Sequence, residues 1–367
     1  AIMESVKLSK VLKKSYLCKH ITKRQMIDIK NICICGGGSL GSVIAGVMSS
    51  KGYCVSMLTG HPGQWNRDIE VTDPDGCTIA GRIEKVSSDP ADVIPESQMV
   101  ILCLPGSLIK EELLKIAPYI SPGTFVGSVF SSTGFFFEAM DIMDKSVPLW
   151  GFQRVPYIAR VKDYGRSALL LGYKNEYNIA VERADDNDKE QFRQWIESAF
   201  ERPTHLLNNY LEASLTNSNP LLHTSRLYSM FNQWQAGDSY DANVRFYADW
   251  TDEASELLIA MDRELFELIK VLPVSKTFLP TILDYYESHD APSLSAKIRS
   301  IESFKNIMSP MVETADGRWI PDLNSRYFTE DFATGLKYVR DLAVKHNIQT
   351  PTIEKVYKWG MGMINKK

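Results

Sequence analysis

Two short stretches of this sequence hold side chains suited to moving protons or holding carboxylates. The first is "NPLLHTSRL", residues 219–227, in which Asn219 stands four positions before His223. Histidine titrates near neutral pH and is the natural proton carrier. A histidine among leucines reads equally well as a satisfied core group, and Asn219–Pro220 as an ordinary helix opening. The second is "DLNSRYFTED", residues 322–331, which sets Arg326 five positions before Asp331. Taken singly, Asp331 caps a helix that starts near Phe332, and Arg326 is a surface cation. A third stretch, "GGGSLG", contains G-x-G-x-x-G at Gly36, Gly38 and Gly41, with Ser39 and Leu40 between. There Gly36 permits a tight turn, Gly38 lets the backbone approach a pyrophosphate, and Gly41 allows close helix packing. The helix N-terminus offers unpaired N–H groups to the anion.

The glycine pattern takes its meaning from its place between elements. "KNICIC" before it is a β-branched run over residues 30–35. "SVIAGVMSSKGY" after it repeats Val43, Ile44, Val47 and Met48 at helical spacing, and a second strand follows at residues 54–58. An NAD-binding site places Asp or Glu at the end of that second strand. This chain has Thr59, Gly60 and His61, with Arg67 further on, so Thr59 is a candidate cofactor contact and NADP is favoured over NAD. Residues 100–104 form a buried strand that ends in Leu104 and Pro105, further candidate cofactor contacts. "GTFVGSVFSSTGF" and residues 169–171 supply more strands to what reads as one mostly parallel sheet.

From about Leu206 the strand pattern gives way to helices. In "TDEASELLIAMDRELFELIKVL", Leu257, Leu258, Met261, Leu265 and Ile269 share one face and Thr251 is placed to cap. "DFATGLKYVRDLAVKHN" and "TIEKVYKWGMGMI" read as further helices. The expected fold is α/β: an N-terminal doubly wound dinucleotide domain over 30–205 and a helical substrate domain over 206–367, with the substrate cleft between them. Trp234, Tyr240, Arg245 and Trp250 are readable as pocket residues or as helix packing.

Composition bounds the rest. The chain has 367 residues, 44% hydrophobic and 23% charged, which suits two globular domains. No apolar run approaches the ~20 residues of a membrane span. Residues 1–29 form a basic extension: residues 1–30 hold eight Lys or Arg against Glu4 and Asp28. That is +6 of a net −4, so the body carries −10, which argues against nucleic-acid binding. Cys33, Cys35 and Cys54 sit in strand-like runs, and Cys18, Cys77 and Cys103 show no CxxC spacing. No disulfide framework or metal site is expected, and the setting reads as reducing and cytoplasmic.

Taken together, "GGGSLG", "CLPGSL", "APYISPGTFVG", "VPYIARVKDYGR", "NPLLH" and "SRYFTEDFATGL" make the chain resemble the opine dehydrogenases of the octopine and nopaline type, from about Lys30 to Ile364. The resemblance implies a Rossmann domain followed by a helical domain like that of 6-phosphogluconate dehydrogenase. It implies reductive joining of an amino acid and a 2-oxo acid with NADH or NADPH. His223 matches the catalytic histidine, Asp331 its carboxylate partner, Arg326 a ligand for the substrate carboxylate, and Asn219 the asparagine of the histidine motif. Two departures bear on substrate choice. Thr224 stands where the family commonly has proline, adding a hydroxyl beside the expected pocket, and "FSSTGF" replaces a glycine-rich loop near the nicotinamide.

On that resemblance an imine formed from amine and oxo acid accepts hydride while histidine moves protons, Asp331 fixing its tautomer and Arg326 orienting the carboxylate. His61 and His205 lack such company, and His20, His289 and His346 read as surface or loop residues. A rival is plain 2-oxo or 3-hydroxy acid dehydrogenation on the same plan. Such enzymes generally use a lysine in the catalytic helix, and residues 206–230 contain none. A second rival is a dinucleotide-binding protein without catalysis. A homodimer is compatible with the sequence and not compelled by it.

Overall fold

The computed structural model describes residues 27–131, 134–216, 218–275 and 279–365. The basic extension therefore lies outside the described residues up to position 26, as do Ser132 and Thr133 of "FSSTGF".

Eight strands form the main sheet: β1 (Asn31–Cys35), β2 (Cys54–Leu58), β5 (Lys85–Ser87), β6 (Met99–Leu102), β7 (Phe125–Ser128), β8 (Leu149–Phe152), β11 (Tyr177–Glu182) and β12 (Thr204–Leu206). Their spatial order is β12-β11-β8-β7-β6-β1-β2-β5, and every neighbouring pair is parallel except β11 with β8. Strands such as "MVIL" in β6 are buried along their whole length, as a sheet covered on both faces requires. Cys35 at the end of β1 stands opposite Leu58 and Leu102, so three carboxyl ends meet at the glycine turn.

Helix α1 (Ser39–Ser50) follows that turn, and helix α2 (Gly106–Ile116) follows β6. A second sheet, β4-β3-β10-β9, lies against α1. It is built from β3 (Asp68–Thr72), β4 (Thr78–Arg82), β9 (Tyr157–Asp163) and β10 (Ser167–Tyr173). The approach is close: a Cβ on Gly81 of β4 would lie 2.5 Å from the carbonyl oxygen of Gly46. Residues 169–171, expected in the main parallel sheet, belong to this second sheet instead. They alternate buried and exposed, whereas the next run, "YNIAVE", is buried on both sides and enters the main sheet as β11.

Beyond Leu206 the core is a separate cluster of buried side chains from α5 (Asn219–Phe231), α6 (Asp252–Ile269), α7 (Ala291–Ser300), α8 (Lys337–Lys345) and α9 (Pro351–Ile364). Shorter helices, including α3 (Phe135–Ile142), and α4 (Asp186–Phe200) complete the first half. Thr251 caps α6 by accepting the Ala254 N–H, and Leu258, Met261, Leu265 and Ile269 are buried. The helical half also carries one hairpin, Met311–Glu313 with Trp319–Pro321. The expected helix at Phe332 is more irregular: a single turn at Arg326–Thr329, a π-helical segment at Asp331–Leu336, then α8.

Candidate active site

The glycine turn is shaped by three distinct demands. Gly36 has φ +109°, and a Cβ there would lie 2.7 Å from the Cys103 carbonyl oxygen and 2.7 Å from Leu104 Cδ2. A Cβ on Gly41 would lie 1.9 Å from the Gly36 carbonyl oxygen, so the helix can leave the turn only without a side chain there. Above Gly38 there is open space, and no side chain caps α1. An uncapped helix start beneath a bare glycine is the donor set that a pyrophosphate requires, so these residues fit a dinucleotide.

The flanking candidates are placed less uniformly. Ser39 Oγ accepts the Val161 N–H of β9 at 3.2 Å, which ties its hydroxyl to the second sheet. Leu40 packs on the Rossmann core, and Pro105 opens α2. Thr59 is buried, with its hydroxyl 3.2 Å from that of Tyr164. Arg67 donates to the Ile83 carbonyl and pairs with Glu84 at 3.5 Å. Trp65 and Tyr164 cover Gly37, where a Cβ would lie 2.8 Å from the indole ring. The Trp65 indole N–H is buried without a hydrogen-bond partner. Neither aromatic stood out in the sequence.

His223 and Asp331, 108 positions apart, meet. His223 Nδ1 lies 2.7 Å from Asp331 Oδ2, and the two side chains are only 11% and 15% exposed. Helix α5 carries the histidine on its second turn, and the π-helical segment presses Asp331 towards it. A Cβ on Gly335 of that segment would lie 2.7 Å from Pro220 Cγ, so glycine is what lets the two pack this closely. Asp331 therefore does not act as a cap. Asn219 is the first residue of α5 and not its cap, which is Ser218.

Both side chains line a cavity of about 240 Å³ together with Asn219, Arg326, Tyr327 and Glu330. Phe130, just beyond β7, also lines it, which puts the cavity where the carboxyl end of the parallel sheet faces the helical half. Arg326 stands at the mouth, 81% exposed, with Nε 3.1 Å from Glu330 Oε1. Burial raises the Glu330 carboxyl against the opposing pull of Arg326, and the π-helical segment that follows Glu330 packs against α2. The two halves of the molecule thus touch at the cavity rim.

Two tyrosines complete the site. Tyr247 Oη lies 2.8 Å from His223 Nε2, and the Tyr327 ring lies across the imidazole with centroids 4.6 Å apart. Burial drives both phenols above their usual range, most strongly that of Tyr247. Tyr327 sits inside "SRYFTED" and could have been singled out by its place between Arg326 and Asp331. Tyr247 lies in an irregular segment and left no signal.

Other candidates fall away. Thr224 is fully buried and donates to the Pro220 carbonyl one turn back, so its hydroxyl is turned from the cavity and not beside it as expected. Arg245 is engaged with Asp249, Trp250 donates to Ser255, and neither lines the cavity, nor do Trp234 and Tyr240. His61, His205 and His289 are exposed. Among the described residues no cluster could hold a metal ion, and no helix is long and apolar enough to cross a membrane.

Comparison with known proteins points the same way as the geometry. Residues 206–364 match the family model described as NAD/NADP octopine/nopaline dehydrogenase, alpha-helical domain. Tauropine dehydrogenase of Arabella iricolor is 26% identical over 92% of each chain. A solved structure of octopine dehydrogenase with NADH and L-arginine superposes with a TM-score of 0.78 at 22% identity, covering 91% of this chain and 89% of that one. Yersinopine dehydrogenase with NADP+ bound gives 0.67 at 12% identity over 91% and 90%.

Proposed function

We propose that this chain is an opine dehydrogenase, joining an amino acid, or another amine, to a 2-oxo acid by NAD(P)H-dependent reduction. The observation that carries the reading is the His223–Asp331 contact at 2.7 Å on the wall of a cavity that faces the carboxyl end of the sheet. The nicotinamide cofactor, held at Gly36, Gly38 and Gly41, supplies the hydride.

The chain's own residues do the rest. Arg326, at the mouth, holds the oxo-acid carboxylate and orients the carbon to be reduced. Asn219, at the start of α5 and in the cavity lining, contacts the substrate. Asp331 accepts from His223 Nδ1, which fixes the tautomer and stabilises the imidazolium. His223 then supplies the proton with which the carbinolamine hydroxyl leaves as water. The reaction consumes one amine, one oxo acid, one reduced cofactor and one proton, and yields the secondary amine, water and the oxidised cofactor.

NADPH is the proposed partner, since Thr59, Gly60 and His61 offer no carboxylate to a ribose 2′-hydroxyl. Thr59 is buried against Tyr164, whereas His61 and Arg67, the latter paired with Glu84, are exposed and open to a 2′-phosphate. The described cysteines are free, in keeping with a reducing, cytoplasmic setting. The test is NADPH and NADH oxidation across a matrix of 2-oxo acids, each with and without amino acids. Oxidation should need both substrates. Activity that ignores the amine would make the enzyme a plain oxo-acid reductase, and tighter binding of NADH would reverse the cofactor assignment.

A further inference from the structure

The first half of the molecule holds one buried donor that the catalytic cavity does not use. The Trp65 indole N–H is covered and has no hydrogen-bond partner. An indole nitrogen only donates, so whatever satisfies it must bring an acceptor. A buried indole N–H ordinarily finds one, and leaving it unpaired is costly. Its place is specific. A Cβ on Gly37, inside the glycine turn, would lie 2.8 Å from Trp65 Cζ2, 2.9 Å from Trp65 Nε1 and 2.9 Å from the Tyr164 hydroxyl oxygen. The two rings meet edge to face, with centroids 5.9 Å apart. Gly37 stands beside the uncapped start of α1, and Thr59, which holds the Tyr164 hydroxyl, lies just beyond β2. In a fold of this kind the pyrophosphate sits over the former and the adenosine ribose at the latter. The indole therefore lies where the adenosine half of a dinucleotide passes from one to the other.

The surroundings pin the backbone of Trp65 and leave its ring. The Asn66 N–H donates to the Gly165 carbonyl, in the turn between β9 and β10, at 2.9 Å. Gly165 has φ +71°, and a Cβ there would lie 2.5 Å from the Gln64 carbonyl oxygen and 2.8 Å from Trp65 Cα. The same hairpin reaches Thr59 through Tyr164, and Ser39 at the start of α1 through the Val161 N–H. One hairpin of the second sheet thus touches the glycine turn, the helix start and the end of β2. The Trp65 side chain, half-buried, is the part of this contact free to adjust.

We propose that Trp65 is a cofactor ligand. Its indole N–H turns from Gly37 to donate to a phosphate oxygen in the adenosine half of the nicotinamide dinucleotide, and Tyr164 positions the ring. This rests on the reading of the glycine turn as a dinucleotide cradle, and on no step of the chemistry. The donor passes from unpaired to bonded to a charged acceptor, so the bound form gains what the free form lacks. Holding that ring over the cradle is also what the second sheet contributes to the site.

Trp65→Phe keeps an aromatic ring and removes the N–H. The Kd for NADPH, read from the cofactor's own fluorescence, should rise about tenfold or more, the scale of a hydrogen bond to a charged group. A ring that merely covers the turn gives the opposite result: the smaller Phe opens the turn, NADPH binds as tightly or more tightly, and the proposal is overturned. The second measurement uses the parent chain without substrates, with its indoles labelled with 15N. The Trp65 resonance is identified by its loss in Trp65→Phe, or by its displacement in Tyr164→Phe should Trp65→Phe fail to fold. Saturating NADP+ and ADP-ribose should each move its proton downfield, and nicotinamide mononucleotide should not. A resonance unmoved by NADP+, or moved by nicotinamide mononucleotide alone, overturns the assignment. If the parent binds neither NADP+ nor NAD+, the cradle reading fails and takes this proposal with it. If the parent binds NADPH and Trp65→Phe binds it within threefold, the role of Trp65 alone fails.

Discussion

Asp331→Asn is the sharpest single perturbation of the site, because it removes a charge with almost no change in volume. At the observed 2.7 Å, unit charges interact by about 6 kcal/mol at an effective dielectric of ~20. Both side chains are at least 85% covered, so solvent screens little of this. The amide still bonds to the ring, and the parent pair has a desolvation cost that the variant escapes, so the net loss should be about 2–4 kcal/mol. That is roughly 30- to 1000-fold in kcat, at 1.4 kcal/mol per tenfold. The amide also changes the tautomer: an Asn N–H donating to Nδ1 leaves the proton on Nε2, the wrong nitrogen for accepting from Tyr247. The assay is cofactor oxidation at saturating amine and oxo acid, with cofactor affinity measured separately. A soluble, cofactor-binding Asp331→Asn protein with kcat within threefold of the parent would refute the role given to the carboxylate.

Gly38→Ala meets no atom within 4 Å and should leave the melting temperature unchanged while weakening cofactor binding at least tenfold; Gly41→Ala, 1.9 Å from a backbone oxygen, should lower both. Burial pushes the Asp262 carboxyl from its ordinary 3.8 up to about 6, so the folded state holds that proton more tightly than the unfolded chain does. Its contribution is full below about pH 4 and is lost as pH rises through about 6, worth about 3 kcal/mol; Asp262→Asn, which can still accept from Ile282, should flatten that fall in denaturant titrations between pH 4 and 7. Thr224→Val should cost stability and leave substrate choice unchanged across the oxo-acid matrix, since the hydroxyl is spent on Pro220. Gly335→Ala would put a Cβ 2.7 Å from Pro220 Cγ, closer than carbon atoms approach, so α5 and the segment carrying Asp331 must move apart; kcat should fall roughly ten- to a hundredfold, as misplacement of a catalytic group does, with only a few degrees lost in melting temperature.

What could be read in advance follows from how each feature is encoded. The glycine turn, the buried strands around it and the capped helix α6 are local patterns, and each sits where its periodicity places it. Residues 169–171 misled because a short apolar run does not say which sheet it joins; only the contrast with "YNIAVE", buried on both faces at Ile179, Ala180 and Val181, does so. Thr224 misled for a similar reason, since proximity in sequence to His223 says nothing of which side of α5 it occupies. From the residues alone His223 and Asp331 read as separate oddities, and only the family resemblance pairs them, because their contact is a matter of tertiary packing across 108 positions. Tyr247 was beyond reach altogether, because its role comes only from where an irregular segment between two helices happens to lie.

The arrangement divides the labour between the two halves of the chain. His223 and its two partners, Asp331 and Tyr247, all come from the helical half, and the glycine turn lies wholly in the first half. The His223–Asp331 contact is therefore made within the helical half alone, by a π-helical segment that only Gly335 allows so near to Pro220. The halves are joined at several points, among them the Tyr338 hydroxyl donating to Glu138 and the Tyr210 N–H donating to Glu182. At the cavity mouth Glu330 holds the Arg326 guanidinium at 3.1 Å, just before the segment that packs against α2. A carboxylate arriving at Arg326 would compete with Glu330 for that guanidinium, so the strength of the Arg326–Glu330 pair bears on how tightly an acidic substrate is held.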